Sequence, residues 1–289
     1  MPKYKISLLV IVGPTGSGKT DLAIEAANIL NGELISADSR SVYKGMDIGT
    51  AKPDSNDLGD VKIWGIDLIE PNEKYSVYEF QKYAYEKIKE IQNRYKLPIL
   101  VGGSGMYIDS VILNYQFIND KNTIQAVELD NMSMDELYEY CDKNNVTLPE
   151  NYKNRRQLIS AISSNGNKST RASAPKDGTL VLGLDLDKSE LDVRLRHRAE
   201  LMVQRGIINE AKSLASKYGW NCESMKGNVY SLLKNYTDGD FSHAEFIERI
   251  VSLDKKLAKK QRTWFKRNNF IQWVKPSEAL DFLSYEVDY

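Results

Sequence analysis

The chain has 289 residues, long enough for about two domains and a sizeable buried core. Its 39 Lys and Arg against 40 Asp and Glu leave a formal net charge of −1, with 42% hydrophobic and 27% charged residues. That balance excludes a globally basic nucleic-acid binder and an acidic solvating chain, while leaving room for a local basic patch. Cys141 and Cys222 stand outside any CxxC pairing, and His197 and His243 are equally isolated. A disulfide framework, a cysteine zinc site and a His-centred triad therefore lack the residues to build them.

In chain order, Ile6 to Val12 is a continuous apolar run of strand length, the pattern of a strand buried on both faces. At seven residues it is too short to span a bilayer. It leads into a glycine loop and not a cleavage site, so a cytoplasmic protein is expected. A helix is predicted from Lys19 to Leu30, then a strand over Leu34–Ala37 ending at Asp38, and Lys62 to Ile69 is a candidate third strand. Ser76 and Glu79 form a capping box opening a helix in which Phe80, Ala84, Ile88 and Ile91 recur at helical spacing. Pro98–Val101 is another buried strand, followed by Gly102-Gly103-Ser104-Gly105. Strands alternating with helices imply a parallel sheet with crossovers.

Residues 116–176 are polar, with short helices predicted over Met134–Asp142 and Arg155–Ser163 and a punctuated connection over Gly166–Gly178. Strand character returns over Leu180–Leu184, and helices fill the remainder. Ser189 with Asp192, and Ser242 with Glu245, are read as caps. The helix after Ser242 carries Phe246, Ile250, Leu253, Leu257 and Trp264 along one face. The expected class is α/β: a P-loop parallel-sheet core flanked by helices, with an inserted all-helical domain and a helical C-terminal region. The expected divisions are 1–115, 116–176 and 177–289.

Gly13-Pro14-Thr15-Gly16-Ser17-Gly18-Lys19-Thr20 matches G-x-x-x-x-G-K-[ST] between a buried strand and a helix, where that motif must sit. Glycines let the backbone wrap a phosphate, and loop N–H groups and the helix N-terminus point at the anion. Lys19 adds a point charge, and the Thr20 hydroxyl can ligate Mg²⁺. The motif leaves open what the phosphate is attached to. Asp38 falls at the C-terminal sheet edge where ligands of doubly wound folds collect. It reads as a general base, as a Mg²⁺ partner, or as a capping carboxylate before Val42-Tyr43. Gly102 and Gly103 at the same edge permit close backbone approach to a ligand, and Ser104 can donate a hydrogen bond; a tight turn would use the same residues.

From Asp254 to Asn268 there are seven basic residues and one acid. Lys255, Lys259, Arg262 and Lys266 share a helical stripe, with Lys256, Lys260 and Arg267 beside it. Pairing across its own turns cannot neutralise so single-signed a run, which points to phosphate-backbone contact. Lys153, Arg155 and Arg156, with Lys168 and Arg171, offer a second basic surface. Arg194 and Arg198 form a shorter stripe that pairing with Glu190 or Asp192 explains equally well.

Together these pieces resemble the tRNA dimethylallyltransferase family, also called tRNA isopentenyltransferases. The resemblance rests on the P-loop, on Ile35–Pro53 (I-S-A-D-S-R-S-V-Y-K-G-M-D-I-G-T-A-K-P), and on Tyr75–Phe80, Pro98–Tyr107, Asn154–Arg156, Arg205–Glu210 and Ala258–Phe265 in family order. It implies transfer of a dimethylallyl group from dimethylallyl diphosphate to N6 of the adenosine 3′-adjacent to the anticodon of tRNA. It further implies Asp38 as general base, Thr15 to Thr20 as diphosphate cradle with Lys19 acting in catalysis, and Ser104 near the reacting centre. Asp38, Ser39, Arg40 and Ser41, with Arg156, Gln157, Leu158, Ile159 and Ser160, match its tRNA-contacting segments. Residues 116–176 look like its helical domain gripping the anticodon stem-loop. Lys255, Lys259 and Arg262 are expected to add phosphate contacts, Mg²⁺ is the expected cofactor through Thr20 and diphosphate oxygens, and a monomer without membrane partners is expected. The sequence departs from the family's usual residues at Ser104 (commonly Thr), Asn228–Ser231, Lys259-Lys260-Gln261 and Asp254–Lys256. Competing readings are an ATP-dependent phosphotransferase, prenylation of a free adenine nucleotide, and a non-catalytic RNA-binding relative.

Overall fold

The computed structural model describes residues 4–117, 129, 131–164, 170–227 and 229–288. Its centre is a parallel sheet of six strands: β2 (Leu8–Val12), β3 (Gly32–Ser36), β4 (Ile63–Trp64), β5 (Leu97–Gly102), β6 (Thr179–Leu184) and β7 (Gln272–Val274), in the order β4-β3-β5-β2-β6-β7. A separate parallel pair joins β1 (Tyr4–Lys5) to β8 (Val287–Asp288). Every residue of β2, β3 and β5 is buried, which is why they read as unbroken apolar runs and not as alternation. Their register places the functional loops side by side. Ser36 pairs with Val101 and Val12 with Gly102, so the chain leaves β3 towards Asp38, β2 into the P-loop and β5 into Gly103 at one sheet edge, where doubly wound folds bind ligands.

Helices cover the sheet: α1 (Lys19–Ile29), the single turn α2 (Ser55–Leu58), α3 (Val77–Asn93) and α4 (Gly105–Ile112) before the insert. After it come α7 (Lys188–Gln204), α8 (Ile207–Tyr218), α9 (Tyr230–Thr237), α10 (His243–Phe265) and α11 (Ala279–Glu286). The Ser76/Glu79 and Ser242/Glu245 capping boxes form as expected at α3 and α10. The Ser189 cap does not: the N-cap of α7 is Asp187, and Ser189 lies within the first turn. The candidate strand Lys62–Ile69 shrinks to two residues, because Gly65 at φ 84° and Asp67 at φ 53° turn the chain out of extended geometry. Helix α4 is buried from Tyr107 to Ile112. Its buried Asp109 is satisfied by Trp264 Nε1 (2.9 Å) and Asn268 Nδ2 (3.3 Å).

Residues 1–113 with 174–289 form one compact unit and residues 114–173 a second, near the expected junctions at 115/116 and 176/177. In the second unit, α5 (Met134–Lys143) and α6 (Arg155–Ser163) pack Leu137, Cys141, Leu158 and Ile162 around Leu129 and Val146. Gln116 and Thr170 bridge antiparallel where the chain enters and leaves. Lys168 lies outside the described residues, as does the side chain of Arg156. Among the described residues, no helix is long and apolar enough to cross a membrane.

Candidate active site

A cavity of about 260 Å³ opens at the C-terminal sheet edge of the larger unit. Thr15, Gly16, Gly18, Lys19 and Thr20 line one side; Asp38, Arg40 and Ser41 line it from the β3 loop; Arg198, Asp254, Leu257 and Gln261 enter from α7 and α10. Gly16 and Gly18 take φ of 77° and 83°, left-handed conformations that bend the loop and that side chains resist. Gly18 caps α1 without a side-chain hydrogen bond, so the first amides of α1 stay available to an anion. Gly13, Pro14 and Ser17 are buried behind this lining, and the Ser17 hydroxyl has no hydrogen-bond partner among the described residues.

Lys19 Nζ donates to the Pro14 carbonyl at 3.3 Å. Burial pushes its pKa down, and the nearby Asp38 carboxylate is the strongest influence pushing it back up. The two are therefore electrostatically coupled across the cavity. Asp38 Oδ1 accepts the Arg40 amide at 2.8 Å, so the capping reading holds for one oxygen while the residue also lines the cavity. Oδ2 has no hydrogen-bond partner among the described residues, which leaves it able to accept a proton.

Several expected roles are revised. Ser104 does not line the cavity; its Oγ accepts the Ser39 amide (2.9 Å) and lies 3.2 Å from Ser39 Oγ. It braces the turn carrying Asp38. The Gly102–Gly105 run is packed closely by protein, and Gly102 also lines the cavity. A Cβ on Gly102 would lie 2.2 Å from the Ala37 carbonyl oxygen, and one on Gly103 would lie 2.2 Å from Gln261 Nε2. Leu158 is fully buried in the core of the second unit and cannot present its side chain to RNA, whereas Gln157 and Ser160 are exposed and Ile159 is half-buried against that core.

The basic run on α10 divides into two sets. Lys255 pairs with Asp192 (3.0 Å), Arg262 with Asp185 (2.6 Å), and Lys266 with Asp185 (3.5 Å). These carboxylates lie outside the run, which neighbour-counting along one helix does not see. Lys256, Lys259, Lys260 and Arg267 instead surround a shallow depression with Thr263 and Trp264. The Arg267 guanidinium lies 3.9 Å from the Trp264 ring centroid, and the three lysines have no acidic partner among the described residues. Arg194 does pair with Glu190 (2.7 Å) and also donates to the Ser17 carbonyl (3.3 Å). Arg198 pairs with Asp254 on α10, not with Glu190 or Asp192. In the second unit Arg155 Nη2 donates to the Leu129 carbonyl (3.1 Å), and Arg171 Nη1 donates to Tyr115 OH (2.7 Å).

Asp254 and Gln261 are site residues that the sequence reading passed over. Burial raises the Asp254 pKa, and Arg198 works against that rise. Gln261 Oε1 accepts the Thr15 amide at 2.8 Å, tying α10 to the P-loop. The buried face of α10 runs Phe246, Ile250, Asp254, Ala258 and Phe265, and the expected Leu253, Leu257 and Trp264 are only half-buried.

Strand order, loop and cavity define an α/β protein in which a G-x-x-x-x-G-K-T loop and the Asp38 carboxylate line one cavity. A family model described as IPP transferase matches residues 41–268, most of the chain beyond the P-loop itself. A tRNA dimethylallyltransferase of Staphylococcus haemolyticus is 34% identical, covering 92% of this chain and 86% of that protein. The crystal structure of a tRNA isopentenylpyrophosphate transferase from Bacillus halodurans superimposes with a TM-score of 0.74 at 30% identity, covering 96% of this chain and 94% of that one. A eukaryotic dimethylallyltransferase, described as acting on tRNA, shares the fold at a TM-score of 0.77 and 23% identity, covering 98% and 76%. The chain belongs to the IPP transferase family.

Proposed function

We propose that the protein transfers a dimethylallyl group from dimethylallyl diphosphate to N6 of the adenosine 3′-adjacent to the anticodon of tRNA, giving N6-(dimethylallyl)adenosine. The observation that carries this reading is the meeting of the P-loop and Asp38 in one cavity, with Lys19 and Asp38 electrostatically coupled. N6 attacks C1 of the allylic donor, the C1–O bond breaks, and diphosphate leaves with the electron pair. The amine is a poor nucleophile whose proton grows acidic as the C–N bond forms, and Asp38 takes it. Lys19 and the amides of Gly16, Gly18, Lys19 and Thr20 stand at the cavity that would hold the departing charge, so that stabilising it needs little reorganisation.

Thr20 and Asp38 supply hard oxygens to the same cavity, a donor set that suits Mg²⁺. Among the described residues no group of three or more His, Cys, Asp or Glu could hold a metal, so Thr20 would share the ion with diphosphate oxygens and water. Bound there, Mg²⁺ would offset diphosphate charge.

On the RNA side, Lys256, Lys259 and Lys260 suit phosphate contact, and Gln157 and Ser160 are the exposed members of the insert segment. An unpaired anticodon-loop base can be splayed into a cavity of this kind. We further propose a monomer acting in the cytoplasm. Labelled dimethylallyl diphosphate with Mg²⁺ and either unmodified tRNA or AMP tests the reading. Label on an adenosine beside the anticodon is expected. Label on AMP alone would make it a nucleotide prenyltransferase, and ATP turnover with no label on either would make the P-loop an ordinary nucleotide site.

A further inference from the structure

Residues 44–53 connect the β3 loop to α2 without regular secondary structure, so their backbone amides have no ladder to bond into. Three consecutive amides instead converge on one side chain. Glu210 on α8 accepts from Asp47 N (2.9 Å), Ile48 N (2.7 Å) and Gly49 N (3.1 Å). Its fourth bond comes from the Tyr230 hydroxyl at 2.5 Å. Tyr230 is fully buried, and a Cβ on Gly49 would lie 2.5 Å from its ring, so ring and loop backbone are in direct contact. Burial and the adjacent Glu210 carboxylate raise the Tyr230 pKa, which keeps the phenol a donor.

The far side of the same loop is pinned separately. Lys52, with a side chain only 4% exposed, donates to the Tyr43 carbonyl (2.7 Å) and to Asp47 (2.7 Å) and Asp67 (2.6 Å). Thr50 Oγ1 donates to the Met46 carbonyl at 2.5 Å. Between these anchors Ala51 sits at φ 54°, a left-handed conformation that a side-chain-bearing residue holds only where the surroundings over-determine it. Gly49, Thr50, Ala51, Lys52 and Pro53 form a wall of the cavity that Lys19 and Asp38 also line.

We infer that Glu210 and Tyr230 are positioning residues: they clamp the 47–53 wall against the organic part of the P-loop-bound donor and so set both its alignment and the length of chain accepted. This rests on the transfer reaction proposed above. The P-loop binds the diphosphate end, and the apolar Ala51 and Pro53 face the cavity in which the allylic carbons must lie. A wall displaced by even about 1 Å costs on the order of 100-fold in a reaction that depends on alignment.

The test compares wild type, Glu210→Gln, Tyr230→Phe and, as control, Glu70→Gln, whose carboxylate binds Tyr218 on the same helix (2.5 Å) but lines no wall residue. Tyr230→Phe keeps the ring against Gly49 and removes one hydrogen bond, so it reports even where Glu210→Gln folds poorly. Each is assayed with an anticodon stem-loop RNA and with dimethylallyl or geranyl diphosphate, alongside thermal melting and the Kd of inorganic diphosphate. The expected result is a loss in kcat/KM with the five-carbon donor of roughly tenfold for Tyr230→Phe and roughly 100-fold for Glu210→Gln. The preference for five carbons over ten narrows, while diphosphate Kd stays within about twofold and Glu70→Gln keeps wild-type kcat/KM and donor preference. Variants that match wild type in kcat/KM and donor preference would overturn the clamp alone, and so would equal losses in diphosphate binding and turnover, the mark of general structural damage. A wild-type enzyme that transfers neither donor would overturn the reaction on which the clamp rests.

Discussion

Asp38 carries two roles that one substitution can separate. Its Oδ1 accepts the Arg40 amide at 2.8 Å, a local bond worth about 0.5–1.5 kcal/mol net. Its carboxylate is also the proposed base, and general-base catalysis contributes about 10²–10⁴ in rate, or about 2.7–5.4 kcal/mol of barrier. Asp38→Asn keeps a carbonyl oxygen for Arg40 but cannot take a proton at neutral pH, whereas Asp38→Ala loses both. The expected outcome is a single-turnover rate at least about 100-fold down in both variants. The Asn variant should melt close to wild type, and the Ala variant about 2–4 °C lower for each kcal/mol lost in a unit of this size. Because Asp38 is the strongest influence raising the Lys19 pKa, its neutralisation also lets that pKa fall further. Diphosphate affinity should then decline at lower pH in the variants than in wild type. An Asn variant within threefold of wild type beside a slow, destabilised Ala variant would show that Asp38 is only a turn brace.

Lys19→Met should leave the diphosphate-free protein at least as stable, because burial of this ammonium is unfavourable, yet lower diphosphate affinity at least about tenfold; melting with and without diphosphate checks both halves. Neutralising Lys259 should reduce the salt dependence of tRNA binding by close to one unit of log–log slope, and Arg262→Ala, whose cation is already held by Asp185, should reduce it less; equal slopes would refute the division of the α10 face. Leu158→Ala should destabilise the second unit by about 2–5 kcal/mol, seen as early proteolysis within 114–173, while Gln157→Ala should not. Glu70 is held down to about 2, first by the Tyr218 hydroxyl and next by Lys44, so its stabilisation is fully present above the ordinary value of 4.5 and is lost as pH falls towards 2. Glu70→Gln should therefore melt lower than wild type at neutral pH, with a flatter acid limb, so that the two curves converge as pH falls towards 2.

The P-loop, its strand and its helix were legible because backbone geometry there is dictated locally: buried strand, left-handed glycines, free helix amides. The capping boxes at Ser76 and Ser242 were legible for the same reason. Helix α4 was not, since its eight residues open directly from a glycine run that reads equally well as a tight turn. The ion pairs of Lys255 and Arg262 were not either, because Asp192 and Asp185 lie far away in sequence and come near only once α7 and β6 are in place. Gly102 and Gly103 were legible as places of close backbone approach, but sequence could not show that Ala37 and Gln261 are what come close.

The largest illegible fact is the double duty of α10. In sequence its basic residues dominate and suggest an RNA-binding helix apart from the chemistry. In the structure Asp254, Leu257 and Gln261 project from the same helix into the cavity, Gln261 holds the Thr15 amide of the P-loop, and Trp264 closes on Gly105 and on Asp109 of α4. The lysines at 256, 259 and 260 thus stand one helical face away from side chains that touch the phosphate cradle. A helix this firmly tied to the P-loop and α4 transmits displacement instead of absorbing it. Under the proposed function, an RNA backbone anchored on its outer face would stand at a fixed distance from Asp38 and Lys19, and phosphate contacts that carry no sequence information would still contribute to placing the base for reaction.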